Sequence, residues 1–143
     1  MNAGVEKVLG KGLTLHQWLY DKSDGRIGVK LGGRPMLLLR TVGRKTGTPR
    51  TSALLYVPHG DSYAVIASKG GDPKHPGWFH NLTANPDVEI QVGRERIPVH
   101  ARVAEGTERA ELWAEADTIN KGGYERYQSR TDRLIPVVVL DPR

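Results

Sequence analysis

Hydrophobic positions along the chain change period more than once, and each change marks an element. Val5, Val8, Leu9, Leu15, Trp18 and Leu19 fall at mixed three- and four-residue spacings. That predicts a short amphipathic helix over residues 5–20, weakened by Gly10 and Gly12. Residues 21–33 hold Gly25, Gly28, Gly32 and Gly33 and read as a loop. Beyond them the pattern turns strand-like. Residues 35–42, 50–57 and 63–68 are apolar runs separated by the turn GRKTGTP and by Pro58-His59-Gly60-Asp61, which predicts an antiparallel meander.

Residues 68–77 are too rich in Gly and Pro for regular structure, and residues 78–84 follow as a short helix. Pro86 stops it, because the residue before a proline is pushed away from helical angles. Residues 88–92 and 96–103 alternate as two further strands around a turn at 93–95. Thr107 is a candidate N-cap for a helix over 108–120, another helical turn spans 124–128, and an apolar strand closes the chain at 134–140. Connections this short suit antiparallel pairing. The expected class is mainly β (α+β): about six antiparallel strands curled into a barrel, with helices outside.

A chain of 143 residues is one ordinary domain, able to bury a real core. Cysteine is absent, which excludes disulfides, thiolate metal sites, iron–sulfur clusters and a cysteine nucleophile. No apolar run is long enough to span a bilayer and no secretory signal is visible, so a cytoplasmic protein is expected. The formal net charge of +5 favours an anionic partner. Its distribution is uneven: Arg34, Arg40, Arg44, Lys45 and Arg50 sit in a stretch with no acidic residue.

The GRKTG turn is not a Walker loop, because Lys45 precedes the second glycine and a strand follows. A glycine-relaxed turn still exposes N–H groups, and Arg44, Lys45 and Arg50 surround it with positive charge. A solvated hairpin tip explains the same residues about as well. Ser68-Lys69-Gly70-Gly71 is a second basic, glycine-bearing turn; alone it reads as an ordinary strand ending, and with the first it favours a shared anionic ligand. The histidines have no metal spacing and the serines no nucleophile elbow, so no metal site or hydrolytic triad is expected. Trp78 is either a packing residue or the wall of a flat-ligand site. Tyr124 and Tyr127 share one helical face, as a core stripe or as two walls of a pocket. Nucleic acid is a weak candidate, since aromatics are only 6% and no binding motif is present.

Four blocks in this order, TVGRKTGTPR, SKGG, PGWFHNLTANP and YERYQSRTDRLIPVVVL, resemble the deazaflavin-dependent nitroreductase family of actinobacteria. The resemblance runs from Pro35 to Pro142. It implies a split β-barrel related to FMN-binding oxidases of the pyridoxamine-phosphate type, over residues 34–143, with 1–33 as an N-terminal helix and loop. It also implies coenzyme F420, whose phosphodiester and glutamate tail would account for the basic turns. Arg44, Lys45, Thr46, Gly47, Thr48, Pro49 and Arg50 would receive that tail. Ser68, Lys69, Gly70 and Gly71 would line the next stretch, Trp78 and Asn81 would hold the deazaflavin side, and Tyr124 and Tyr127 match the substrate pocket.

The activity implied is hydride transfer from the reduced deazaflavin to a quinone or nitro compound. Members that activate nitroimidazoles carry aromatic residues where this chain has Leu55 and Lys121, so a quinone is the expected acceptor. FMN in the same nest and a non-catalytic cofactor-holding protein are the alternatives. Residues 1–30 are left as either a lid or a face resting on a membrane, and pairing as a homodimer stays open.

Overall fold

The computed structural model describes residues 15–25, 29–31 and 33–143. Helix α1 covers residues 15–22, so the predicted helix is present over 15–20, while residues 5–14 lie outside the described residues. The strands are β1 (Lys30–Leu31), β2 (Arg34–Val42), β3 (Pro49–Leu55), β4 (Val57–His59), β5 (Ser62–Ile66), β6 (Asp87–Val92), β7 (Glu95–Val103) and β8 (Val137–Pro142). A 3-10 turn at Lys69–Gly71 and helices α2 (Gly77–Ala84), α3 (Gly106–Ile119) and α4 (Gly123–Gln128) complete the set.

Every strand pairing is antiparallel. The order is β1-β2-β6-β7-β8-β5-β4, with β3 on the other edge of β2. The expected strand at 50–57 is really two. Its chain bends at Tyr56, whose N–H still donates to the Pro35 carbonyl as the last rung with β2; β3 pairs with β2, and beyond the bend β4 pairs with β5. Because β4 directly continues β3, the sheet returns upon itself as a barrel with its seam at that bend. Counting β3 and β4 as one bent strand and leaving out the two-residue β1, the strands are the six expected.

Two hydrophobic clusters fill the two faces of this sheet. Met36 and Leu38 of β2, Ala64 and Ile66 of β5, and Val137 and Val139 of β8 pack with Tyr20, Leu112, Ala116 and Tyr124 of the helices. The alternate residues Leu37, Leu39, Val65, Val138 and Leu140 pack with Ile90, Val99 and Leu82 of α2. Burial on both faces explains why MLLL and VVVL are unbroken apolar runs rather than alternating ones. Each such side chain contributes about 1.5–3 kcal/mol when fully buried.

Helix α1 is fastened by one residue in particular. Tyr20 is fully buried. Its hydroxyl accepts the Gly93 N–H at 2.7 Å and shares its proton between the carbonyls of Met36 and Gln91. Arg40 adds an ion pair to Asp21 at 3.0 Å.

Several boundaries differ from the sequence reading: Pro58 and His59, read as turn, belong to β4, the strand read as 63–68 ends at Ile66, and the stretch read as irregular holds the 3-10 turn. Helix α3 begins at Gly106, so its N-cap position is Glu105 rather than Thr107, and it carries no side-chain cap bond. Asp21 and Lys22, assigned to a loop, continue α1, and the two-residue β1 lies in the same stretch. The last strand starts at Val137 rather than 134: Leu134 is two-thirds exposed, and Pro136 turns its carbonyl to the Ala67 N–H.

Candidate functional site

The β2–β3 turn closes on itself. Gly43 N–H donates to Thr48 O and Gly47 N–H to Gly43 O, each at 2.8 Å, and the Thr46 hydroxyl accepts the Thr48 N–H. With those bonds made internally, residues 44–50 are all exposed. Arg44, Lys45, Thr46 and Arg50 border an open cleft of about 500 Å³. Its remaining walls are Gly43, Thr51 and Ser52 from the β2–β3 hairpin and Gly77, Trp78 and Asn81 from α2. Among the described residues, no carboxylate pairs with Arg44, Lys45 or Arg50, whereas Arg40, Arg96, Arg102 and Arg143 all have one. The first turn of α2 follows Pro76 and has no side-chain cap. Its N–H groups and the positive end of its dipole therefore add to the same field.

Asn81 couples these parts. It is buried, its Oδ1 accepts the Arg44 N–H at 3.1 Å, and its Nδ2 donates to the Thr41 hydroxyl at 3.2 Å. Both ends of the amide are thus engaged by the protein, and what Asn81 presents to the cleft is the position of the basic turn. Trp78 is half-buried against the second cluster while lining the cleft. Gly47, Thr48 and Pro49 shape the turn without lining the cleft.

Ser68, Lys69, Gly70 and Gly71 form a separate cluster with α4. Ser68 is right-handed, and the next three residues have φ of 46°, 63° and 82°. Lys69 holds that conformation without being glycine, at a cost of about 1–2 kcal/mol. Arg130 reaches from the end of α4 to the Gly70 carbonyl at 3.4 Å, and its guanidinium lies 5.6 Å from the Tyr127 ring centre. Residues 72–76 join this cluster to α2, and His75 packs on Phe79 with ring centres 4.7 Å apart.

The two tyrosines differ. Tyr124 is 6% exposed within the first cluster, between Trp113 and Tyr127. Burial pushes its phenol pKa up, with Tyr127 adding to the rise and Arg34 opposing it. Tyr127 is half-buried. Neither borders the basic cleft.

Sequence reasoning missed Gly43, Thr51, Ser52 and Gly77 as lining residues. Thr51 and Ser52 had a signal: two hydroxyl residues open an otherwise apolar strand directly after a basic turn.

These features define a split-barrel protein with a basic cleft beside an apolar wall. The fold, and the fold alone, is shared with a FAD-binding protein of Mesorhizobium loti, at 13% identity and a TM-score of 0.54 over 77% of this chain and 79% of that one. Residues 13–142 match the family described as F420H(2)-dependent quinone reductase. A protein of that description from Mycobacterium tuberculosis is 51% identical over 92% of this chain and 90% of its own length. A solved F420-H2-dependent reductase is 45% identical, with a TM-score of 0.69, over 76% of this chain and 95% of that one. A solved domain-swapped dimer is 37% identical, with a TM-score of 0.70, over 97% of this chain and all of its own. The chain belongs to the F420H(2)-dependent quinone reductase family, and it is an oxidoreductase.

Proposed function

We propose that the chain transfers a hydride from reduced coenzyme F420 to a quinone, holding the coenzyme's anionic tail in the cleft under the β2–β3 turn. The observation that carries this reading is the convergence on one cleft of an uncapped helix start and three cations with no carboxylate partner among the described residues. Such a site fits a phosphodiester and carboxylates, which charge-assisted N–H donors bind strongly.

When bound, the reduced deazaflavin supplies the hydride. The protein's part is placement. Arg44, Lys45 and Arg50 hold the tail, Thr46, Thr51 and Ser52 offer hydroxyls, and Trp78 provides an apolar surface for the ring system. Ser68 to Gly71 continue the binding surface, and Tyr127, with Tyr124 behind it, faces the acceptor. Fixing donor and acceptor in one geometry supplies much of the rate, and a tyrosine hydroxyl would stabilise charge developing on the acceptor oxygen.

Fluorescence titration with oxidised coenzyme F420 tests the assignment. Lys45→Ala and Arg50→Ala are each expected to weaken binding roughly ten- to hundredfold, the loss of one charge-assisted contact of about 1.5–3 kcal/mol. The loss should shrink at high salt, because these side chains are exposed. Unchanged affinity in both variants at low salt would remove the cleft from the tail site. FMN is the comparison ligand: equal or tighter binding of FMN would favour the flavin alternative.

Steady-state oxidation of the reduced coenzyme separates an enzyme from a carrier. Menadione is expected to turn over and bicyclic nitroimidazoles to turn over poorly, since Leu55 is an aliphatic core residue and Lys121 is exposed. Brisk nitroimidazole reduction would show that these two positions do not set specificity.

The proposal extends to assembly and placement. Pairing as a homodimer is supported by the domain-swapped relative, and light scattering on the purified chain reads it directly. Among the described residues no helix is long and apolar enough to cross a membrane. Leu15 and Trp18 are both more than half exposed on α1, and peripheral contact with a quinone-bearing bilayer would rest on them.

A further inference from the structure

Arg133 lies in the connection between α4 and β8, in a sequence context, Thr131-Asp132-Arg133, that reads as surface. The structure turns its side chain inward. Nε donates to the Asp72 carbonyl at 2.8 Å, Nη2 to the Ser68 carbonyl at 2.6 Å and Nη1 to the Ala67 carbonyl at 3.1 Å. Nη1 also meets His75 Nδ1 at 3.1 Å. No carboxylate pairs with this guanidinium among the described residues; three carbonyls and a ring nitrogen take its donors instead. Arg133 is itself held by α4, because Gln128 donates to the Arg133 carbonyl at 2.8 Å and accepts the Ile135 N–H at 3.0 Å.

The peptide geometry makes this contact directional. In a trans peptide the carbonyl and the following N–H point opposite ways, and no peptide here is cis. With the Ala67 and Ser68 carbonyls aimed at Arg133, the N–H groups of Ser68 and Lys69 must face away from it. Neither has a protein acceptor among the described residues. A right-handed Ser68 followed by a positive φ at Lys69 is also the conformational sequence that draws successive N–H groups around one point. At its far end the same guanidinium fixes His75, which packs on Phe79 of α2, the helix that carries Trp78 and Asn81.

We infer that Arg133 is a positioning residue: from behind the Ser68–Gly71 turn it aims two backbone donors at the coenzyme and sets the turn relative to α2. The inference rests on the coenzyme F420 reading for the ligand, and on geometry alone for the loop. Arg133 acts through backbone and makes no contact with the coenzyme's charges, which separates its signature from that of Lys45. A neutral His75 is required as the acceptor, and burial, Arg133 and His80 all lower its pKa in that direction.

The test uses Arg133→Met and Arg133→Lys, the second keeping the charge while losing the planar fork. Both are expected to weaken binding of oxidised coenzyme F420 roughly tenfold or more, the scale of a lost charged hydrogen bond. The Michaelis constant for the reduced coenzyme should rise by a similar factor with kcat little changed. The salt dependence of binding should stay that of the unaltered protein, whereas Lys45→Ala flattens it. Arg133→Ala should regain affinity with added guanidinium and not with ammonium. Without any ligand, hydrogen exchange across residues 67–76 should quicken in Arg133→Met. If Arg133→Met does not fold, Arg133→Lys decides.

Unchanged affinity in a folded variant, or a loss that flattens the salt dependence as Lys45→Ala does, would overturn the inference. Unaltered exchange across 67–76 would overturn it as well. Quickened exchange in a protein whose unaltered form does not bind the coenzyme would leave Arg133 as the loop's organiser and sink the coenzyme reading instead.

Discussion

Gly71→Ala is expected to destabilise the fold by about 2–5 kcal/mol, while Gly70→Ala one position earlier should cost only about 1–2 kcal/mol. The neighbours explain the difference. A Cβ on Gly71 would stand 2.5 Å from the Tyr127 carbonyl oxygen and 3.1 Å from Arg130 Cβ, at a φ of 82°. Backbone cannot step aside as a flexible side-chain end can, so the clash adds to the left-handed strain. Gly70 has a φ of 63° but nothing within 4 Å of its would-be Cβ, leaving the strain alone. Urea unfolding of the two variants measures both numbers. The close approach that Gly71 permits is made by the chain's own α4; Gly70 is the glycine that leaves room for another molecule. Gly71→Ala should therefore lose coenzyme affinity together with stability, and Gly70→Ala should lose affinity out of proportion to stability. Equal destabilisation by both would mean that α4 does not press on this turn.

The same turn shows how far a sequence can be read. Runs such as Met36 to Leu39 announced buried strands, because burial on both faces leaves an unbroken apolar string. The bend at Tyr56 left no such trace. Residues 50–57 are uniformly strand-like, and the Tyr56 bond to Pro35 of β2, 21 positions away, is the last rung before β4 turns to β5. At the C-terminal end the apolar pattern reported burial rather than pairing: Ile135 and Pro136 are inside but precede the strand.

For the site, the basic turn was legible because its cations cluster in sequence, and family blocks led to Trp78 and Asn81 on the same cleft. The engagement of Asn81 by Arg44 and Thr41, 37 and 40 positions away, depends on contacts no local pattern encodes. Arg133 was hidden for the same reason. Its bond to Ser68 spans 65 positions, and a single arginine in a polar loop carries no periodic signal.

Tyr124→Ala should cost about 3–5 kcal/mol, the range for truncating a large aromatic in a packed core. The residue is 6% exposed and lies between Trp113 and Tyr127, so little can collapse into the space left behind. Tyr124→Phe should be nearly silent in stability at neutral pH and informative at high pH. Burial raises the phenol's pKa above the ordinary value of 10.0, so folding favours the neutral form. That contribution is complete below pH 10 and is lost as pH climbs from there toward the raised folded-state value. Stability of the unaltered protein should therefore fall in alkali, and Tyr124→Phe should fall less steeply. Some slope must remain, because Tyr20, Tyr56 and Tyr63 are raised in the same direction, chiefly by burial. Tyr127 should behave in the opposite way. It is half-buried with the Arg130 guanidinium over its ring, so Tyr127→Ala should cost little stability, about 1 kcal/mol, and raise the Michaelis constant for quinone. Tyr127→Phe should lower kcat if its hydroxyl meets the acceptor oxygen, since that bond exists only as charge develops. Melting curves and quinone kinetics on the four variants separate the roles. Lost stability with unaltered kinetics in the Tyr127 variants would remove both tyrosines from the acceptor site and leave them as packing for α4.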